Sequence, residues 1–143
     1  MKKSINCLNL PNMELTVCMI DDDLVSQFAS RYCIEQANTN CRIITCDNAE
    51  EGLDLFADLL HGEKDVPDIL FLDLVMQGMD GWEFLDTLKQ MTDRPLRTDI
   101  YILSAFTNSK DRLRAKEHPM VQGYFDKPLT KDTVNRIFHA KIS

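Results

Sequence analysis

No stretch of the 143-residue chain stays apolar for long enough to cross a bilayer. Two lysines stand near the start, Lys2 and Lys3, but Asn6, Asn9, Asn12 and Glu14 follow them instead of the continuous apolar run of a signal peptide. Neither a leader nor a membrane partner is expected, and the chain reads as cytoplasmic. Positive charge is also scarce: 16 Lys and Arg face 23 Asp and Glu, for a formal charge of −7. Affinity for nucleic acid comes mainly from clustered cations, so direct nucleic-acid binding is not expected and a metal ion or basic partner fits better. The five cysteines (Cys7, Cys18, Cys33, Cys41, Cys46) are odd in number and contain no CxxC pair, which argues against zinc and redox motifs. Cys41 and Cys46 would point to opposite faces of one strand, and the thiols read as small core residues. His61, His118 and His139 have no mutual spacing that points to a metal site or a phosphohistidine, and a surface placement is expected for all three.

What is present is the balance of a globular domain, 44% hydrophobic and 27% charged, at a length that suits one core. Residues 1–14 read as an N-terminal extension and residues 15–143 as the domain, with no internal repeat or low-complexity linker. The apolar run Leu15 to Ile20 ends in Asp21-Asp22-Asp23, as a buried parallel strand ends where its loop begins. Val25, Phe28, Ala29, Tyr32 and Cys33 then recur at helical spacing, which predicts an amphipathic helix over 24–37 with those residues on its apolar side. Cys41 to Cys46 reads as a second strand. Asn48, Glu50 and Glu51 open a helix carrying Leu53, Leu55, Phe56, Leu59 and Leu60.

Asp68 to Asp73 forms the third strand, followed by the loop Gln77-Gly78-Met79-Asp80-Gly81 and a helix from Trp82 to Met91. Ile100 to Leu103 makes the fourth strand. The helix over 109–117 is unusually polar, with Leu113 and Ala115 nearly its only apolar contacts, so loose packing is expected. Val121 to Phe125 is the fifth strand, and Thr130 caps a last helix bearing Val134, Ile137 and Phe138. Alternating strands and helices specify an α/β domain with a parallel sheet, although the alternation alone does not choose between a sequential and a doubly wound order.

Acids close the first and third strands, Ser104 closes the fourth and Lys127 the fifth. All C-terminal ends of a parallel sheet lie on one edge, so these side chains converge if the first and third strands are neighbours. Converging carboxylates in a partly dry crevice repel one another until a proton or a hard cation relieves them. Mg²⁺ suits the role, since it takes carboxylate oxygens and keeps waters that a phosphoryl oxygen can replace. A lysine ammonium and a small hydroxyl opposite could hold the remaining phosphoryl oxygens.

Ile20-Asp21-Asp22-Asp23, the segment Leu72-Asp73 through Asp80-Gly81, Leu103-Ser104-Ala105 and Asp126-Lys127-Pro128 together resemble the receiver domain of two-component response regulators, over about Leu15 to Lys141. The resemblance implies a flavodoxin-like (βα)5 sandwich, a doubly wound five-stranded parallel sheet of order 2-1-3-4-5. It implies Asp73 as phosphoacceptor, Asp22 as a direct Mg²⁺ ligand, Asp21 acting mainly through water, and the Val75 carbonyl completing the set. Ser104 and Lys127 would contact the phosphoryl group, Tyr124 would be the aromatic switch, and the Lys127-Pro128 bond would be cis. A sensor histidine kinase or histidine phosphotransfer protein would be the donor. An unidentified downstream protein would read the face built from the fourth helix, fifth strand and fifth helix, and phosphorylation-dependent homodimerisation stays open.

Gln77 stands where that family usually has proline, a departure expected to affect loop stiffness but not ligation. Val75 and Phe106 are expected to flank the pocket and limit water access. Asp23 reads as a helix cap. Rival readings are an Mg²⁺-dependent phosphohydrolase of the haloacid dehalogenase type, a scaffold without phosphotransfer, and a receiver cut from a longer hybrid kinase or regulator. The preferred reading is a stand-alone signalling domain that catalyses only its own phosphorylation and dephosphorylation.

Overall fold

The computed structural model describes residues 14–37, 40–106 and 108–142; the segment 1–13, with Cys7, lies outside them. Strand and helix alternate: β1 (Leu15–Ile20), α1 (Leu24–Ala37), β2 (Cys41–Cys46), α2 (Ala49–His61), β3 (Ile69–Leu72), α3 (Gly81–Met91), β4 (Asp99–Ser104), α4 (Ser109–Glu117), β5 (Val121–Asp126) and α5 (Lys131–Ile142). All strand pairs are parallel and the order is β2-β1-β3-β4-β5, the doubly wound arrangement. The apolar strands β1, β3 and β4 occupy the interior of the sheet and contribute to the cores on both faces, and β3 is buried at every position.

Two cores result. On one face Phe56, Phe84, Leu85 and Leu88 of α2 and α3 meet Cys18, Ile20, Leu70 and Leu72. On the other, Ile34 of α1 and Val134, Ile137 and Phe138 of α5 meet Val17, Met19, Ile69 and Phe71. Cys41 and Cys46 contribute to opposite cores, as their spacing predicts. The caps fall where the sequence places them: the Asn48 side chain accepts from the Glu51 N–H at 2.8 Å and Thr130 from the Thr133 N–H at 3.2 Å, while Asp23 accepts from the Val25 N–H at 3.0 Å.

The predicted face of α1 is wrong at Val25, Phe28, Ala29 and Tyr32, and right only at Cys33, which packs against the core. Val25, Phe28 and Tyr32 are 78%, 74% and 66% exposed, and the buried positions are Gln27, Ser30 and Ile34. Both sets recur at helical spacing and differ only in phase. Gln27 sets that phase, since its amide nitrogen donates to the Asp21 carbonyl at 2.6 Å and to an Asp47 carboxylate oxygen at 2.9 Å. Such bonds hold Gln27 inward, and Phe28 is carried outward with Leu24, Val25 and Tyr32.

Helix α4 also departs from expectation. Ala115 is its buried residue and Leu113 is 57% exposed, so Leu113 is not an anchor. Polar and aromatic contacts dock it instead of apolar burial. The Trp82 indole N–H donates to Asp111 at 3.1 Å, the Arg114 guanidinium lies 4.4 Å from the Trp82 ring centre, and Arg112 pairs with Asp126 at 2.6 Å. His118 is half-buried beside Trp82 rather than on the surface, with ring centres 6.1 Å apart. Burial holds its imidazole below the usual histidine range.

The reversed phase of α1 gives a contrast measurable by urea unfolding. Ile34→Ala is expected to cost about 2–4 kcal/mol, as for other buried truncations. Phe28→Ser is expected to cost less than about 0.5 kcal/mol, as for a surface change. The opposite ranking would restore the face that the periodicity predicted.

Candidate functional site

The functional residues gather at the C-terminal edge of the sheet because the register brings the relevant strands side by side. Ile20 pairs with Leu72 across β1 and β3, and the Asp73 N–H donates to the Ile20 carbonyl at 3.0 Å. Asp21 and Asp73 therefore leave adjacent strands at one level. Gly81 lets the start of α3 close over this turn: a Cβ there would sit 2.6 Å from the Asp73 carbonyl oxygen. On the far side the Lys127 N–H donates to the Ser104 carbonyl at 2.8 Å, so the ends of β4 and β5 are joined. The Lys127-Pro128 bond is cis.

Carboxylate oxygens of Asp21, Asp22 and Asp73 all lie within 4.8 Å of one another. The Lys127 ammonium bridges two of them, 2.8 Å from Asp21 and 3.1 Å from Asp73. Asp21 and Asp73 are 6% and 7% exposed, whereas Asp22 is open to solvent. Burial, the largest influence, pushes the Asp73 carboxyl above its ordinary range and the Asp21 charge adds to this, against the charge and hydrogen bond of Lys127. At Lys127 burial acts downward, but the hydrogen bond to Asp21 and the charges of Asp73 and Asp21 outweigh it and raise the ammonium. One cation facing three acids leaves negative charge over. A close set of hard oxygen donors with one solvent-open member fits Mg²⁺.

Asp21 is the most heavily bonded of the three. One oxygen accepts from the Asp23 N–H at 3.0 Å, and the other from both Ser26 Oγ at 2.6 Å and Lys127. Asp22 accepts from the Gln77 N–H at 3.0 Å. A proline at 77 could not make that bond, so the departure at this position ties the β3–α3 loop to an acid of the site. The Val75 N–H donates to Asp73 at 3.3 Å.

Ser104 is buried and shares bonds with Phe106: its hydroxyl donates to the Phe106 carbonyl and accepts from the Phe106 N–H, both at 3.2 Å. The Tyr124 hydroxyl donates to the same Phe106 carbonyl at 3.3 Å. Ser104 and Tyr124 thus meet at one backbone oxygen, while Arg112 lies 4.9 Å from the Tyr124 ring centre. The side chains of Val75 and Phe106 are 58% and 68% exposed, so most of each stands in water at the rim. An open cleft of about 1000 Å³ continues from Asp22 past Val25 to Asp47 and Glu50.

No signal in the sequence marks the roles of Ser26, Gln27 and Arg112, or the pairing of Asp126 with Arg112. Ser26 and Gln27 stand in the first turn after the acids, and only the phase of α1 reveals that they turn back toward Asp21. The Arg112–Asp126 pair links positions 14 apart on different elements, for which no local pattern exists.

The family described as the response regulator receiver domain matches residues 17–139. The cell cycle response regulator CtrA of Brucella ovis is 31% identical over 126 residues, 88% of this chain and 49% of the relative, and the same protein of Brucella abortus matches equally. The chain spans about half the length of these curated relatives. Among solved structures, a two-component response regulator from Cytophaga hutchinsonii superposes with a TM-score of 0.83 at 23% identity, covering 91% of this chain and 98% of the other. One from Legionella pneumophila superposes with a TM-score of 0.70 at 24% identity, covering 90% and 98%. At such identities the superpositions establish the shared fold.

A raised Asp73 carboxyl has a defined linkage sign. The folded state holds that proton more tightly than the unfolded chain, so the contribution to stability is present in acid and lost as pH rises through the folded value. Without divalent metal, Asp73→Asn is expected to exceed wild type by about 1 kcal/mol near neutral pH, in line with removal of an imperfectly compensated buried charge. The gap should shrink in acid, as read by urea unfolding across pH. A gap independent of pH would contradict the raised carboxyl.

Proposed function

The chain belongs to the response regulator receiver family, a family of signalling domains, and on that premise we propose that it takes a phosphoryl group onto Asp73 and switches partner binding in response. The observation that carries this reading is the Lys127 ammonium held 3.1 Å from Asp73 within a cluster of three acids. A carboxylate oxygen of Asp73 attacks phosphorus on a donor phosphohistidine; the new O–P bond forms as the P–N bond breaks and the imidazole leaves with the electron pair. Lys127 and Ser104 face the oxygens of the transferred group. Bound Mg²⁺ supplies neutralising positive charge at this centre. Asp22, Asp73 and the Val75 carbonyl would hold the ion directly, and Asp21, which already accepts from Asp23, Ser26 and Lys127, would act mainly through water.

The donor is a sensor histidine kinase or a histidine phosphotransfer protein. The exposed stripe Leu24, Val25, Phe28 and Tyr32 begins at the cleft beside Asp22 and offers such a donor an apolar landing surface next to the acceptor. Residues 15–143 form the receiver. Among the described residues no helix is long and apolar enough to cross a membrane, and the working compartment is the cytoplasm. Asp73 has no role in the phosphohydrolase alternative, and the bond to Lys127 gives it one here.

Output runs through Ser104 and Tyr124 to the face of α4, β5 and α5. The Ser104 hydroxyl leaves the Phe106 carbonyl for the phosphoryl group, which changes the acceptor shared with Tyr124, and Arg112 transmits the change to α4. A downstream protein, or a second copy of the chain, reads that face.

Incubation with Mg²⁺ and acetyl phosphate followed by intact mass measurement tests the acceptor. Wild type is expected to gain the mass of one phosphoryl group and Asp73→Asn none; labelling of Asp73→Asn would refute the assignment. Hydrogen exchange tests the output. Amides over Ser109–Glu117 are expected to change on phosphorylation by about tenfold, the factor that corresponds to one hydrogen bond's worth of local stability. Unchanged exchange there would remove α4 from the response.

A further inference from the structure

A lysine shared by two carboxylates cannot turn to a third partner unless the acid it leaves behind is otherwise satisfied. Asp21 is buried, and a buried carboxylate stripped of a donor bears the full desolvation penalty of its charge. The oxygen of Asp21 that accepts from Lys127 at 2.8 Å also accepts from Ser26 Oγ at 2.6 Å. The Ser26 bond does not depend on Lys127. It comes from the first turn of α1, whose rotation is set by the inward bonds of Gln27 to the Asp21 carbonyl and to Asp47.

We propose that Ser26 is a positioning residue for phosphotransfer: its hydroxyl keeps Asp21 compensated and so loosens Asp21's hold on Lys127, freeing the ammonium to meet the phosphoryl group at Asp73. This rests on the receiver reading for its kinetic consequence but not for its geometry. Two donors on one oxygen share its lone-pair density, and each is held less tightly than it would be alone. Removing the hydroxyl strengthens the remaining Lys127 contact in the resting protein and makes its withdrawal costlier during transfer. Ser26 touches neither Asp73 nor the transferred group and acts through Asp21 and Lys127.

The test compares two hydroxyl-bearing proteins, wild type and Ser26→Thr, with two lacking the hydroxyl, Ser26→Ala and Ser26→Val. Thr and Val have nearly the same shape, so this pair separates the hydroxyl from side-chain volume and keeps the comparison valid if Ser26→Ala folds poorly. In metal-free protein, competitive labelling of amines with acetic anhydride and peptide mass analysis is expected to show Lys127 about threefold less reactive in Ala and Val than in wild type and Thr, as a tighter charge-assisted bond predicts. With Mg²⁺, the maximal rate of acetyl phosphate labelling is expected to fall about tenfold in Ala and Val, the size of one hydrogen bond to a charged group. Half-saturation by acetyl phosphate should stay constant. Lys127 reactivity that follows side-chain size, or is equal in all four proteins, overturns the proposal. Reactivity that follows the hydroxyl while acetyl phosphate labelling runs equally in all four proteins overturns the role in transfer, whereas a wild type that accepts no phosphoryl group refutes the receiver reading and that role with it.

Discussion

Everything at the sheet edge is organised around one ammonium group lodged between two buried carboxylates. The Lys127 Nζ lies within hydrogen-bond distance of both Asp21 and Asp73, and at Asp73 its charge and hydrogen bond oppose the upward push of burial on the carboxyl. The charge balance is incomplete because Asp22 adds a third acid. An incomplete balance leaves the site negative, the kind of excess charge that a hard cation would relieve.

The rest of the fold can be understood as the means of holding that lysine in place. Three strands that are distant in sequence must end at one level, and the parallel registers from β1 to β5 achieve this. The two-sided core fixes the sheet, so the loops that carry the acids need little structure of their own. Local bonds then orient each group: Ser26 and the Asp23 N–H on Asp21, the Gln77 N–H on Asp22, the Val75 N–H on Asp73. Away from the acids, the Phe106 carbonyl joins Ser104 to Tyr124, and Arg112 of α4 lies 4.9 Å from the Tyr124 ring centre.

Much of this was legible in the residues alone. Buried parallel strands show as continuous apolar runs, and a carboxylate directly after such a run marks the edge where ligands bind, so Asp21, Asp22, Asp73, Ser104 and Lys127 could be named before their distances were known. The phase of α1 could not. Its outward stripe of Val25, Phe28 and Tyr32 is more apolar than the inward set of Gln27, Ser30 and Ile34, and hydrophobic periodicity ranks them in the wrong order when a polar side chain has a structural task inside. Contacts such as Arg112 with Asp126 were invisible because they depend on how two elements pack. Gln77 was noticed as a departure, but its consequence lay in the backbone N–H that replaces an imino nitrogen, which a reading of side chains overlooks.

Helix α4 rests on guanidinium, indole and carboxylate groups with Ala115 as its buried residue. A helix that lifts from such a seat uncovers little hydrocarbon, and heat capacity changes scale with the hydrocarbon uncovered. Local opening of this helix therefore carries only a small heat-capacity change. Its docking is set by charged groups instead, and salt screens the half-exposed Arg112–Asp126 pair.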